Sequence, residues 1–291
     1  MFTGSIVAIV TPFKDGKFDR ESFKNLVEFQ ISNGTDAIVP VGCTGEAATL
    51  THDEHKEVID YTLEIVNRRV PVIAGTGSNS TAEALELTRY AKKAGCDGAL
   101  IITPYYNKPV PEGLYRHYKT IAEDVDIPIL LYNVPSRTGI SILPETVAKL
   151  AEIKNIVGIK EASGSLDQVS KIISLCPEDF VVLSGDDSMT LPIMAVGGKG
   201  VISVAANIVP ALVKEMVHAA LLGNWAEAQK MHIKLFNLFK ALFIETNPIP
   251  VKGCLYLMGK INLELRMPLT PPSEKTMNEL ENILKQYRLI S

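Results

Sequence analysis

The chain has 291 residues, of which 46% are hydrophobic and 21% charged, and its formal net charge is −4 at pH 7. This length can bury a large core in one α/β domain, and the small negative charge does not favour a nucleic acid or an anionic membrane as a partner. No apolar run is long enough to span a bilayer. The first residues enter a strand pattern without a basic segment, so no signal peptide is expected.

The cysteines are scattered along the chain and form no Cys-x-x-Cys pair. They are Cys43, Cys96, Cys176 and Cys254. Such spacing favours reduced thiols in a cytoplasm over disulfides or a zinc site. We therefore expect a cytoplasmic protein without a metal site.

Short runs rich in Val and Ile alternate along the chain with longer amphipathic segments. Their periods predict strands for the short runs and helices for the long ones. The predicted strands are 5–11, 37–42, 71–75, 98–103, 128–133, 156–161, 180–184 and 200–203. The predicted helices between and after them are 20–33, 52–67, 81–94, 112–124, 144–153, 166–176, 190–196 and 210–222.

Eight successive strand-then-helix units indicate a parallel sheet covered by helices. They favour a closed (β/α)8 barrel, the TIM-barrel architecture, over an open doubly wound sheet. We assign residues 1–222 to this barrel and residues 223–291 to a helical C-terminal domain. The predicted helices of that domain are 225–243, 250–258 and 273–286, and their apolar stripes fit either packing on the barrel or an oligomer contact.

In barrels of this kind, active sites lie at the C-terminal ends of the strands. The sixth predicted strand delivers Lys160 there, and a buried lysine is either ion-paired for structure or held for its amine. If burial lowers its pKa, the amine can condense with a carbonyl. The other residues expected at this mouth include Cys43, Thr44, Tyr105, Tyr106, Tyr132, Arg137, Glu161, Gly185, Asp186, Asp187, Ile202 and Ser203.

This inventory suits a substrate that carries both a carbonyl and a carboxylate. Lys160 would attack the carbonyl, Thr44 and backbone N–H groups would bind the carboxylate, and a tyrosine would transfer protons. An arginine would pair with a second carboxylate through its planar fork.

The same residues also have purely structural interpretations. The tyrosines can be packing residues of loops, Arg137 can form a surface ion pair, and Glu161 can pair with a lysine. The Asp186-Asp187 pair can bind a metal or cap a helix before Thr190, and capping is the better supported of these two.

Nine segments in order along the chain carry recognisable motifs. They are GSIVAIVTP at 4–12, GCTGE at 42–46, VIAGTG at 72–77, TPYYN at 103–107, YNVPSRTG at 132–139, GIKE at 158–161, LSGDD at 183–187, GVIS at 200–203 and NPIPVK at 247–252. Through them the chain resembles the dihydrodipicolinate synthase family, within the pyruvate-dependent class I aldolases and lyases. The resemblance runs essentially from end to end.

The resemblance implies a (β/α)8 barrel with a C-terminal helical domain, usually assembled as a homotetramer, a dimer of dimers, without a metal or organic cofactor. It implies the condensation of pyruvate with L-aspartate 4-semialdehyde in the diaminopimelate route to lysine. By the same resemblance, Lys160 forms a Schiff base with pyruvate and Tyr132 donates and accepts protons. Thr44 lies next to the pyruvate carboxylate, the backbone of Ile202 at the end of the eighth strand completes the pocket, and Gly185 is a further substrate-binding residue.

Two more positions follow from the resemblance, and one departs from it. Arg137 would receive the carboxylate of aspartate semialdehyde, and Tyr106 would reach across a subunit interface into the proton relay. The family usually has a second threonine before Thr44, whose hydroxyl links the two relay tyrosines, and here that residue is Cys43. A thiol is a weaker hydrogen-bonding group, so we expect Cys43 to occupy the linking position with a modified relay.

Some members of the family are inhibited by L-lysine at a tight subunit interface. The residues that match that site are Ala48, His52, His55, Asn79, Glu83 and Tyr105. His55 and Glu83 suit the inhibitor, whereas Ala47 replaces a serine of some members. The resemblance therefore implies feedback inhibition by L-lysine.

Two other interpretations stay open. A related aldolase, acting on N-acetylneuraminate or on a 2-keto-3-deoxy sugar acid, would share Lys160 and Tyr132 but would not need Arg137. A barrel that has lost catalysis would be a ligand-binding or structural protein, and only Cys43 points to it.

Overall fold

The computed structural model describes residues 2–291, so Met1, the first residue of the predicted barrel domain, lies outside the described part. Eight parallel strands form the centre of the molecule. They are β1 (Gly4–Ala8), β2 (Ala37–Val39), β3 (Ile73–Gly75), β4 (Gly98–Ile102), β5 (Ile129–Asn133), β6 (Ile156–Glu161), β7 (Val181–Ser184) and β8 (Gly200–Ser203). Their nearly continuous apolar sequences are typical of strands that are buried on both faces.

The strands follow one another around a barrel in the order β2, β1, β8, β7, β6, β5, β4, β3. Ile38 and Val72 form a parallel bridge between the two end strands. The Gly75 N–H also donates to the Pro40 carbonyl at 3.1 Å. These contacts bring the ends together into a nearly closed barrel, and the predicted (β/α)8 fold is confirmed.

Helices follow the strands and cover the outside of the barrel. They are α1 (Arg20–Ser32), α2 (His52–Val66), α3 (Thr81–Ala94), α4 (Pro111–Asp124), α5 (Pro144–Ala151), α6 (Leu166–Leu175), α7 (Thr190–Ala195) and α8 (Pro210–Leu221). Local sequence sets their ends, since Thr51 and Glu54 form a capping box before α2 and Gly95 ends α3 with a φ of 100°. Within residues 2–291, no helix is long and apolar enough to cross a membrane.

Three helices follow the barrel, α9 (Trp225–Ala241), α10 (Ile249–Leu257) and α11 (Glu274–Gln286). Helix α9 packs against α8, and α11 packs against α10 and α9. The segment between α9 and α10 runs across the mouth of the barrel, where residues 243–247 share a cavity with Lys160. The helical part therefore contributes to the site that the strands build.

Strand β2 is shorter than predicted and ends at Val39, three residues before Gly42. Pro40 has no N–H to donate to a strand ladder. Val41 has a φ of 49°, which is a left-handed conformation that a strand cannot contain. The chain therefore turns early and presents the residues that follow, Cys43 and Thr44, at the barrel mouth.

Two short elements are not predicted by the sequence periods. A hairpin pairs Phe13–Lys14 with Lys17–Phe18 around Asp15 and Gly16, which have φ values of 53° and 74°. Asp-Gly favours such a two-residue turn, so its signal was present in the sequence. A helix of four residues, Pro135–Thr138, follows β5 and is too short to show a period.

Candidate active site

Lys160 and Tyr132 are neighbours at the barrel mouth because they pair in register across β5 and β6. Successive side chains of a strand point to opposite faces. Ile159 packs in the apolar layer between the barrel and its helices, so Lys160 points into the barrel and Glu161 points out of it. The strand therefore delivers an amine to the interior of the mouth.

Lys160 is 5% exposed, and its Nζ lies 4.3 Å from the centre of the Tyr132 ring. Burial lowers the pKa of Lys160 to about 8, because the ammonium loses hydration, and the Arg137 guanidinium acts in the same direction. Cys43 and Asp187 oppose the shift in this pKa. A lysine with such a pKa has an appreciable free-amine fraction near neutral pH, as a nucleophile requires.

Gly185 leaves room for the Lys160 side chain. A Cβ at this position would lie 3.0 Å from Lys160 Cε and 2.7 Å from Ala162 Cβ. The Gly185 N–H donates to the Glu161 carbonyl at 2.8 Å. The loop after β7 therefore lies against the end of β6 only because residue 185 has no side chain.

A cavity of about 670 Å³ opens beside Lys160, and we call it the Lys160 cavity. This volume is in the range of sites for small organic molecules. It unites most of the predicted catalytic and substrate-binding residues with the segment that precedes α10. The lining includes Thr44, Tyr132, Arg137, Lys160, Gly185 and Asn247.

Asn247 connects Thr44 and Arg137 at this cavity. Asn247 Nδ2 donates to Thr44 Oγ1 at 3.0 Å, and Arg137 Nη2 donates to the Asn247 carbonyl at 2.8 Å. Within residues 2–291, the backbone N–H groups of Cys43 and Thr44 donate to no protein acceptor. The turn after β2 therefore offers hydrogen-bond donors to a carboxylate.

The phenol of Tyr132 lies beside the thiol of Cys43. Burial raises the pKa of Tyr132 well above its usual range, and the thiol adds to the shift. A phenol with a raised pKa stays protonated at neutral pH, so it can act as a proton donor. Tyr132 lines both the Lys160 cavity and a second cavity, whereas Cys43 lines the second.

The second cavity has a volume of about 400 Å³, and we call it the His55 cavity. Five of the six residues that match the L-lysine site line it, namely Ala48, His52, His55, Glu83 and Tyr105. The sixth, Asn79, is not among the lining residues, and its carbonyl accepts a hydrogen bond from Asn107 Nδ2 at 2.8 Å. Arg137 and Tyr132 line both cavities, so the two share a wall.

The His55 cavity presents hydrogen-bond acceptors. His55 Nε2 lies 2.8 Å from the Gly75 carbonyl oxygen, and because a carbonyl only accepts, Nε2 carries the proton and Nδ1 is left as an acceptor. Burial lowers the pKa of His55 to about 4, so the ring is neutral at pH 7. Glu83 adds a carboxylate, which accepts from Ser78 Oγ at 2.7 Å.

Besides Asn79, two more predicted site residues, Tyr106 and Ile202, are not among the lining residues of either cavity in the single chain. Tyr106 has a φ of 71° and is 90% exposed, and it lines neither cavity. The Ile202 side chain is fully buried in the barrel, whereas the resemblance assigns the backbone of this residue to the pocket, and Val204 two residues later lines the Lys160 cavity. The structure of one chain thus does not bring the Tyr106 phenol to Lys160.

Glu161 does not pair with a lysine, so that interpretation is wrong. Its carboxylate accepts hydrogen bonds from Asn133 Nδ2 at 2.9 Å, Gln168 Nε2 at 3.0 Å and the Ser163 N–H at 2.6 Å. The outward direction of residue 161 explains this, because it places the carboxylate between β5 and α6 and away from the Lys160 cavity.

The capping interpretation of Asp186 is confirmed. Its carboxylate accepts from the Ser188 N–H at 2.8 Å at the start of the short 3₁₀ helix Asp187–Met189, just before α7. Asp187 is buried and accepts from the Val204 and Ala205 N–H groups at 3.0 and 2.9 Å. Among the described residues, no group of three or more His, Cys, Asp or Glu side chains is placed to hold a metal ion.

Sequence reasoning missed the contribution of Asn247. The hydrogen bond from its side chain to Thr44 joins positions 203 residues apart, a distance that local patterns do not bridge. The available signal was the NPIPVK motif, which starts at this residue but had no assigned role.

The sequence profile of the dihydrodipicolinate synthetase family matches residues 1–287. The chain belongs to this family. A 4-hydroxy-tetrahydrodipicolinate synthase of Citrifermentans bemidjiense is 59% identical over 290 residues, with 100% of both chains covered. The crystal structure of dihydrodipicolinate synthase from Aquifex aeolicus has a TM-score of 0.98 and 53% identity, and covers 99% of both chains.

Two further solved structures of similar chains were determined with a bound small molecule. One is a chloride-inhibited dihydrodipicolinate synthase from Acinetobacter baumannii complexed with pyruvate, with 49% identity, a TM-score of 0.98 and 100% of both chains covered. The other is an enzyme from Cyanidioschyzon merolae with lysine bound, with 42% identity, a TM-score of 0.97 and 99% of both chains covered.

Proposed function

We propose that this chain is a 4-hydroxy-tetrahydrodipicolinate synthase, a lyase that condenses pyruvate with L-aspartate 4-semialdehyde in the diaminopimelate route to lysine. The observation that carries the proposal is a buried Lys160 amine with a lowered pKa beside Tyr132, in a cavity that also holds Thr44 and Arg137. The full-length relatives with this name support the same activity.

The first step is formation of an imine between Lys160 and pyruvate. The free amine attacks the ketone carbon of pyruvate, and the resulting carbinolamine loses water as the imine forms. Tyr132 donates a proton to the departing oxygen, since burial keeps its phenol protonated. Thr44 and the N–H groups of the turn after β2 hold the pyruvate carboxylate.

The second step forms the carbon–carbon bond. Loss of a proton from the methyl group converts the imine to an enamine, whose carbon attacks the aldehyde of the second substrate. Arg137 pairs with the carboxylate of that substrate through its planar guanidinium. The amine of the product then displaces Lys160, closes the ring and frees the enzyme.

A coupled assay tests the proposal by comparing turnover of L-aspartate 4-semialdehyde with turnover of the substrates of the two related aldolases. We expect turnover with pyruvate and L-aspartate 4-semialdehyde, and none with N-acetylneuraminate or with 2-keto-3-deoxy sugar acids. The Lys160→Ala variant is the matched control and should be inactive with every substrate. Turnover of a sugar acid in preference to aspartate semialdehyde would assign the chain to a related aldolase.

We also propose that L-lysine inhibits the enzyme from the His55 cavity. The Glu83 carboxylate and the His55 Nδ1 acceptor can bind an ammonium group, and the cavity shares Tyr132 with the Lys160 cavity. Millimolar L-lysine should reduce turnover, and Glu83→Gln should weaken this inhibition while turnover without lysine is retained. Turnover unaffected by millimolar lysine would reject the proposal.

The active assembly is proposed to be a homotetramer, a dimer of dimers, in the cytoplasm. Support for the assembly comes from the Tyr106 side chain, which is 90% exposed in the single chain. Support for the cytoplasm comes from the free state of all four cysteines. In this arrangement residues 1–222 form the catalytic barrel and residues 223–291 the helical domain. Sedimentation equilibrium would measure the subunit number, and a purely monomeric active enzyme would contradict the role of Tyr106.

A further inference from the structure

Asn247 makes one hydrogen bond from its side chain and leaves the other end of its amide unpartnered. The residue is 5% exposed and lies just before α10, beside the Lys160 cavity. Its Nδ2 donates to Thr44 Oγ1 at 3.0 Å. Its Oδ1 is buried and has no hydrogen-bond partner among residues 2–291.

The direction of this hydrogen bond decides what Thr44 can do. A threonine hydroxyl has a single proton to donate, and its oxygen accepts through lone pairs. Because Asn247 donates to Thr44 Oγ1, the hydroxyl proton of Thr44 is not used by the amide. That proton is free to be donated into the Lys160 cavity.

An amide that only tied the segment before α10 to the barrel would pair at both ends. Leaving a buried carbonyl without a donor is costly. The Asn247 side chain therefore donates from Nδ2 to Thr44 while its Oδ1 accepts no hydrogen bond from the described residues. Such an arrangement fits a residue that sets the direction of a neighbouring group.

We infer that Asn247 is a positioning residue for pyruvate, whose amide N–H holds the Thr44 hydroxyl as a donor to the substrate carboxylate. This inference rests on the proposed function and adds a residue from outside the barrel strands to the pyruvate subsite. An acceptor at position 247 would reverse the polarity, because the Thr44 proton would then point at residue 247 and a lone pair would face the carboxylate.

The backbone of Asn247 contacts Arg137, the residue proposed to bind the carboxylate of L-aspartate semialdehyde. The Asn247 carbonyl accepts from Arg137 Nη2 at 2.8 Å, and a side-chain substitution leaves this carbonyl in place. Side-chain variants should therefore affect pyruvate without affecting L-aspartate semialdehyde.

The decisive variant is Asn247→Asp, which has the same shape but accepts at both oxygens. We expect the KM for pyruvate to rise at least about tenfold, as for the loss of a hydrogen bond to a charged group, while the KM for L-aspartate semialdehyde stays unchanged. Asn262→Asp is the matched control, since it places the same charge on an exposed residue that lines neither cavity. An unchanged KM for pyruvate, or an equal rise in both KM values, would overturn the inference.

A double-mutant cycle separates a specific coupling between Asn247 and Thr44 from a general loss of folding in the variant. Asn247→Ala should raise the KM for pyruvate in the wild-type background and have no further effect in a Thr44→Val background, where no hydroxyl is left to position. Additive effects would contradict the inference. A wild-type enzyme without turnover of pyruvate and aspartate semialdehyde would instead defeat the proposed function, so the two failures are distinguishable.

Discussion

At the scale of single residues, the chemistry depends on the protonation state of Lys160. Its pKa of about 8 follows chiefly from burial, and Asp187 and Cys43 keep it from falling further. At pH 7 a group with this pKa is about one-tenth free amine. Only that fraction can attack a carbonyl, so the rate of imine formation must follow its titration.

The first prediction concerns pH. The value of kcat/KM for pyruvate should rise from pH 6, reach half of its maximum near pH 8 and level off above about pH 9, because protonation removes the nucleophile on the acidic side of the pKa. Steady-state rates measured across this range, with L-aspartate semialdehyde held constant, test it. A profile that still rises steeply at pH 10 would show that burial does not lower the pKa of Lys160, and a flat profile would show that the titration of Lys160 does not set the rate.

The second prediction concerns Cys43, whose thiol lies beside the Tyr132 phenol. Cys43→Thr introduces a hydroxyl, which forms stronger hydrogen bonds than a thiol. Cys43→Val introduces a side chain with nearly the shape of threonine but without any hydrogen-bonding group. We expect turnover to increase in the threonine variant and to fall in the valine variant, measured as kcat at saturating substrates. Equal turnover in all three proteins would mean that position 43 has no role in proton transfer.

At the scale of elements, the turn after β2 is fixed from the helical part of the chain. Lys252 of α10 is fully buried and its Nζ pairs with the Glu46 carboxylate and donates to the Glu264 carbonyl at 2.9 Å. The Arg266 N–H donates to the other Glu46 oxygen at 2.9 Å. Glu46 itself has a φ of 55°, so this strained end of the turn that carries Thr44 is held by α10 and the segment after it.

The third prediction is that Lys252→Met destabilises the protein by about 3–5 kcal/mol, because it leaves the Glu46 carboxylate buried without its partner. The double variant Glu46→Gln with Lys252→Met should recover a large part of that loss. Urea unfolding measures both. The matched control Lys171→Met breaks an exposed pair with Glu145 and should cost about 0–1 kcal/mol.

If Lys252→Met were no more destabilising than Lys171→Met, the buried pair would not hold the turn. If the double variant were as unstable as the single one, the loss would come from packing of the lysine stem and not from the unpaired carboxylate.

The elements differ in how far their sequence determines them. Strands and long helices were predicted because their period is repeated over several residues, and the position of Lys160 followed from the end of one such strand. Pro40 and Val41 ended β2 early, and the Asp15-Gly16 hairpin was missed, because single residues set these features. Asn247 could not be predicted, since its role depends on a contact between two distant parts of the chain.

At the scale of the whole molecule, buried histidines link stability to acidity. Burial lowers the pKa of both His55 and His117 to about 4, whereas an unfolded histidine titrates near 6.5. Between these values the unfolded chain binds protons that the folded chain does not, so each histidine lowers stability as pH falls from about 6.5 to about 4. Asp187 acts in the opposite direction, because burial raises its pKa to about 6.

The fourth prediction isolates one of these groups. His117→Gln should reduce the slope of unfolding free energy against pH by about 1.4 kcal/mol per pH unit near pH 5, since one proton-binding difference is removed. Glutamine can still pair with Thr81 Oγ1, which lies 2.9 Å from His117 Nδ1. Urea unfolding at pH 4.5, 5 and 5.5 would give both slopes, and identical slopes would mean that His117 is not kept neutral by burial.

The proposed chemistry begins with an imine between Lys160 and pyruvate. Reduction with borohydride in the presence of pyruvate, followed by peptide mass spectrometry, tests it most directly. We expect an irreversible loss of activity and a reduced pyruvate adduct on Lys160, neither of them in the absence of pyruvate, and no adduct in the inactive Lys160→Ala variant. No adduct in the wild-type protein, or an adduct on a different lysine, would show that Lys160 is not the nucleophile.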